Sequence, residues 1–149
     1  MTRAKRWWVL VGLLSGLMLA PRSAQAQHFE LGVGADFWTA GSGAGLFTFT
    51  FDALWTVTHG VQLGLRPGFL LTTADDSRAG IPVDFQIRGI FSSVYVDGFA
   101  GPWFMFKGDV VRAHIGMGAG IRSGRVHFGG EVSYLTSGAT FGARLAFEL

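Results

Sequence analysis

The sequence predicts an all-β fold, an eight-stranded antiparallel up-and-down transmembrane β-barrel over residues 27–149, preceded by a cleavable leader over residues 1–26. Three observations carry that prediction. From Leu46 to Val57 every odd position (Phe47, Phe49, Phe51, Ala53, Trp55, Val57) is apolar, while Thr48, Thr50, Asp52 and Thr56 hold even ones, the period of two of a strand with one apolar and one polar face. That strand is longer than the about five or six residues usual in soluble proteins and suits the roughly 9 to 11 needed to cross a bilayer at a tilt. The alternation then recurs along the whole chain.

Met1 to Ala26 carries the parts of a secretory signal: Arg3, Lys5 and Arg6, the apolar run Trp7 to Ala20, then Ala24-Gln25-Ala26 as a small-x-small cleavage site. The run is short for a helix that must span with about 20 residues, so cleavage after Ala26 is expected, leaving Gln27 first. Of the 12 Lys and Arg residues, Arg3, Lys5, Arg6 and Arg22 leave with the leader, so the acids outnumber the bases in the remainder. The basic balance therefore belongs to the precursor, and a nucleic-acid partner is not expected. With no cysteine, neither disulfides nor thiolate metal sites can hold the fold.

Taken in order, the alternating segments are His28 to Phe37, Ala44 to Val57, Val61 to Thr72, Ile81 to Ile90, Val94 to Phe106, Val110 to Arg122, Arg125 to Leu135 and Ala139 to Leu149. Their separators carry turn chemistry, as in Thr58-His59-Gly60, Asp75-Asp76, Lys107-Gly108-Asp109, Ser123-Gly124 and Thr136-Ser137-Gly138. Such short connections permit only antiparallel neighbours. In the fifth segment Phe99, Trp103 and Met105 compete with Phe104 and Phe106 for the outward face, and Gly101-Pro102 suggests a bulge.

Charge separates the two faces. The outward phase carries residues such as Phe29, Leu31, Phe49, Leu65, Phe85, Ile115 and Met117 and no charge; the inward phase carries Glu30, Asp36, Asp52, Arg66, Asp84, Arg88, Asp97, Arg112, Arg122, Arg125, Glu131, Arg144 and Glu148. An apolar exterior around a charged interior inverts a soluble sandwich or lipocalin-type barrel, and its natural solvent is lipid. In lipid every backbone polar group must be paired internally, so the eight strands must close.

On these features the chain resembles the small eight-stranded outer-membrane barrels of Gram-negative bacteria, the OmpX/OmpA transmembrane type. The best local match is the last segment, where Phe141, Ala143, Leu145, Phe147 and Leu149 alternate to the terminus. The resemblance implies that Phe141, Leu145, Phe147 and Leu149 form the recognition signal for the barrel-assembly machinery, although the family usually ends on Phe where this chain has Leu149. It also implies an outer-membrane location, export through the Sec translocon, outer-membrane lipid and lipopolysaccharide as surroundings, and a monomer.

The inward charges are expected to form a lumenal network of ion pairs, since arginine's rigid fork suits bidentate pairing in a confined space and eight strands leave an interior just wide enough for side chains. The inward glycines, among them Gly32, Gly64, Gly116, Gly118 and Gly120, either relieve crowding or leave a water-filled channel. One cluster offers chemistry. A two-residue turn at Ser123-Gly124 would set His114 against Ser133 and Gly116 against Glu131, collecting the parts of a Ser-His-acid hydrolase from His114, Ser133 and Glu131. Some eight-stranded outer-membrane barrels modify lipid A, but the His-x-Ser motif of the deacylases is missing, because Phe128 and Gly129 follow His127. His28 and His59 read as solvated residues at the mature terminus and in a turn. Trp38, Trp55 and Trp103 fall near strand ends and are expected as interfacial aromatics. Neither cofactor nor metal is expected, as no pair of histidines has the spacing of a metal site. The expected role is a non-enzymatic structural or envelope-maintenance barrel; a narrow channel and a lipid-modifying enzyme are the alternatives.

Overall fold

The structure, a computed structural model, describes residues 27–41, 43–73, 79–108 and 110–149. The expected leader and the acidic pair Asp75-Asp76 lie outside these residues. Eight strands run β1 Gln27–Trp38, β2 Ala44–Thr58, β3 Val61–Thr72, β4 Ala79–Phe91, β5 Val94–Met105, β6 Val111–Ser123, β7 Val126–Leu135 and β8 Gly138–Glu148. Each pairs antiparallel with the next, and β1 pairs with β8, from Glu30 opposite Glu148 to Trp38 opposite Thr140, so the sheet closes. Closure leaves no edge strand with unpaired backbone groups.

Odd-numbered residues point outward in β1 to β4, in β6 and in β8, and even-numbered ones in β5 and β7. The switches follow from turn length. Phe91 pairs with Val94, Ser123 with Val126 and Leu135 with Gly138, and because paired residues share a face, each two-residue turn inverts parity. The turn between β2 and β3 would do the same, but a register shift between Thr56 and Thr58 restores the phase. The register shift therefore lies there and not at Gly101-Pro102. Across those two residues β4–β5 pairing is interrupted between Pro82 opposite Trp103 and Phe85 opposite Ala100, but the register on either side is the same. Pro102 has no N–H to offer β4, and Gly101 lets the strands approach where a Cβ would lie 1.9 Å from the Val83 carbonyl oxygen.

The same register decides the fifth strand. Tyr95, Asp97, Phe99, Trp103 and Met105 face inward, while Val94, Val96 and Phe104 face outward. The β6–β7 turn also corrects the sequence reading. It falls at Gly124-Arg125, with Gly124 at φ 60° in the first turn position. The register thereby moves by two residues, setting Gly116 against Ser133 and Gly118 against Glu131. Arg125 becomes an exposed turn residue instead of a lumenal one.

Candidate functional site in the barrel lumen

Glu30, Asp52, Arg66, Asp84, Arg88, Asp97, Arg112 and Arg144 are buried inside the barrel; Asp36, Arg122, Glu131 and Glu148 are inward and half-buried. The lumen is layered. Near the end of the barrel that holds Gln27 and Leu149, Arg88 donates from Nε to Asp97 Oδ1 at 2.8 Å, from Nη2 to Asp97 Oδ2 at 3.1 Å and from Nη1 to Glu30 Oε1 at 2.5 Å. Gln86 Nε2 also donates to Asp97, at 2.8 Å. His127 Nδ1 lies 3.1 Å from the same Glu30 oxygen, and Arg122 Nε donates to His127 Nε2 at 3.1 Å. At the mouth, Glu148 lies 3.6 Å from Arg122 Nη2 and 2.8 Å from His28 Nδ1, so His28 is a partner in the network and not a solvated terminal residue.

At mid-height, Arg66 donates to Glu131 Oε1 at 2.7 Å and to Asp84 Oδ2 at 3.3 Å. Arg144 donates to Asp52 Oδ2 at 2.6 Å and Thr50 Oγ1 at 2.7 Å and reaches Glu131 Oε1 at 3.5 Å. Above this layer, towards Thr39 and Thr73, the filling becomes apolar: Trp38, Ala44, Leu46, Leu70, Trp103, Met105 and Leu135 form one buried cluster. Arg112 lies over the Trp38 ring, 4.6 Å from its centroid.

Trp38 and Trp103, at 5% and 4% exposure, are therefore lumenal residues and not interfacial ones; Trp55 alone of the three stands on the outward phase. Position in the strand repeat outweighs the general preference of tryptophan for an interface. The inward aromatics of β5 were the feature least visible in the sequence. Arg88 lies 4.8 Å over Tyr95, Arg66 lies 4.2 Å over Phe99, and the His114 ring lies 4.2 Å from Trp103. Desolvated cations gain from such faces. Room for these rings comes from facing glycines: a Cβ on Gly116 would meet Phe99 at 2.6 Å, and one on Gly120 would meet the Tyr95 hydroxyl at 2.6 Å. At these positions the glycines relieve crowding by the lumenal rings. A lumenal void lined by Asp36, Arg66, Asp84, His114, Ser133 and Arg144 measures about 20 Å³, room for roughly one water.

Of the suspected catalytic cluster the structure keeps two members and replaces the third. His114 Nε2 lies 2.8 Å from Ser133 Oγ, which also contacts Thr140 Oγ1. The carboxylate on His114 Nδ1, at 2.9 Å, is Asp84 and not Glu131, whose oxygen is taken by Arg66 and Arg144. Trp103 Nε1 donates to both Asp84 oxygens, at 3.2 and 3.3 Å.

Outside, Phe141, Leu145, Phe147 and Leu149 are exposed, and the Leu149 N–H donates to the Phe29 carbonyl at 2.9 Å. Among the described residues no helix is long and apolar enough to cross a membrane, which says nothing about crossing by strands.

No protein-family model and no curated protein sequence matches the chain. Two solved structures do resemble it. A de novo designed transmembrane β-barrel is 14% identical with a TM-score of 0.66, over 82% of this chain and 95% of the design. The designed barrel TMB2.3, solved by solution NMR, is 14% identical with a TM-score of 0.52, over 87% of this chain and 98% of the design. Fold and lumen thus define an eight-stranded antiparallel closed barrel of the transmembrane type with a buried charge network. At this identity the likeness concerns the fold alone; it supports a transmembrane-type barrel and gives no family-level support for the OmpX/OmpA resemblance.

Proposed function

We propose that the protein is an outer-membrane barrel with a structural, envelope-maintaining role, exported behind residues 1–26 and inserted as a monomer with Gln27 and Leu149 on the periplasmic side. The observation that carries this reading is the inversion of polarity. Large apolar side chains from Leu31 to Phe147 stand exposed on every strand, while the charged strand residues turn inward. Only a lipid solvent makes such a surface stable. The filled lumen argues against transport, because a path for ions would require breaking the Arg88 and Arg144 pairs and parting the apolar cluster.

Membrane fractionation with protease added to whole cells tests the location: recovery with the outer membrane supports it, and recovery in the soluble periplasm rules it out. Planar-bilayer recording tests the role. A silent bilayer containing folded, inserted barrel fits a filled lumen, whereas steady unitary currents would establish the channel alternative.

A further inference from the structure

In the hydrogen-bonded run Thr140, Ser133, His114, Asp84 a histidine links a carboxylate to a hydroxyl, whereas His127 and His28 contact Glu30 and Glu148 beside their arginine partners. We propose that this run is a hydrolytic relay, with Ser133 as nucleophile and His114 as general base, acting on carboxylic esters of short apolar acyl groups. The inference needs the fold alone and not the membrane location.

Geometry supplies the roles. With the Nδ1 proton donated to Asp84, His114 Nε2 presents a lone pair to the Ser133 hydroxyl. Asp84 is a positioning residue held from two further sides, by the Trp103 indole N–H and by Arg66 Nη2 at 3.3 Å. Gly116 is the cross-strand partner of Ser133, and a Cβ there would come within 2.3 Å of the serine's own Cβ, so this partner position must be bare for Ser133 to hold its place. Arg66 and Arg144, paired with Glu131, Asp84 and Asp52, line the void that Ser133 also lines and are the cations available to an oxyanion there.

The step balances as ester plus water giving acid plus alcohol. Ser133 Oγ bonds to the acyl carbon as its proton passes to His114 Nε2. The C–O bond to the alcohol breaks, and the alcohol leaves with that proton. A water, deprotonated by His114, then attacks the acyl-serine, releases the acid and returns the proton to Ser133 Oγ.

Substrate class follows from what stands next to the relay. Leu135, the next inward residue after Ser133 towards the strand's end, is fully buried and belongs to the cluster of Trp38, Leu46, Leu70, Trp103 and Met105. An apolar acyl group can replace apolar neighbours as it enters, whereas a charged one would lose its solvation. The void of about 20 Å³ holds about one water, so an acyl group reaches Ser133 only by displacing this apolar cover, which favours a short chain.

The test uses the full chain, expressed with its leader and purified in detergent, with p-nitrophenyl butyrate as substrate and a small fluorophosphonate as covalent probe. The folded barrel should hydrolyse the ester above the detergent blank and take the probe at Ser133. Ser133→Ala should lose both, with the rate down about 10³-fold or more, while Ser123→Ala, exposed at the opposite end, should retain both. Asp84→Asn should slow hydrolysis and displace its pH profile, a change that a purely structural role would not produce. Leu135→Ala, which thins the cover, should raise kcat/KM. Heat-modifiable gel mobility confirms that each variant is folded. A folded wild-type barrel with no hydrolysis above the blank, or a rate that survives Ser133→Ala, overturns the proposal; an unaltered pH profile in Asp84→Asn removes Asp84 from the relay.

Discussion

Arg144 reaches across β1 to bond Asp52 on β2 at 2.6 Å, and it does so over Gly32, where a Cβ would lie 2.7 Å from its Nη2. A bare position on the intervening strand is what lets strands that are not neighbours share a charge pair. Gly32→Val should push the guanidinium away from Asp52 and destabilise the barrel by about 1–3 kcal/mol, the usual range for overpacking. Urea unfolding in lipid vesicles measures it; an unchanged midpoint would show that the pair is dispensable.

Arg88 joins β4 to Glu30 on β1 and Asp97 on β5. Arg88→Met keeps much of the volume and leaves two buried carboxylates facing each other. Breaking a buried pair from one side costs about 3–5 kcal/mol, so this variant should unfold at much lower urea than Gly32→Val. A smaller loss than that of Gly32→Val would mean that water already solvates this layer.

Phe49 stands on the opposite face, half exposed at mid-strand. Phe49→Arg should cost up to about 2–4 kcal/mol near the bilayer midplane. The penalty is specific to lipid, so it should shrink when the same variant is unfolded from a hydrated detergent surface. An equal penalty in both media would assign the loss to packing.

Ser92 adopts φ 60° in the turn between β4 and β5. The left-handed region costs an ordinary residue about 1–2 kcal/mol, and glycine enters it freely. Ser92→Gly should therefore raise the urea midpoint, and a lowered midpoint would mean that the Ser92 side chain contributes more than its backbone strain removes.

The wall of the barrel was legible in the sequence because a strand's period of two is local: Phe47 through Val57 declares its face without help from any other strand. Eight segments, their order and their closure followed. Part of what failed depended on placing one turn by a single residue. Gly124-Arg125 and Ser123-Gly124 are equally good turn dipeptides on paper, yet the choice moves Arg125 out of the lumen and replaces the partners of Ser133 and Glu131. The acid on His114 was not readable either, because Asp84 lies on β4 and meets β6 across the lumen, a contact between strands that do not pair. Trp38 was misplaced by residue preference although its strand phase pointed inward, and Trp103 because the phase of the fifth strand was open.

A wall that faces lipid around a lumen that does not can be read from the tryptophans of residues 27–149, which lie on both sides. Three single-tryptophan barrels, retaining Trp38, Trp55 or Trp103 with phenylalanine at the other two positions, can be folded into vesicles containing lipids brominated along the acyl chain. Trp55, outward on β2, should be strongly quenched, while buried Trp38 and Trp103 should keep most of their emission. Quenching of Trp38 and Trp103 with Trp55 spared, or no quenching of any of them in folded barrels, would contradict this arrangement.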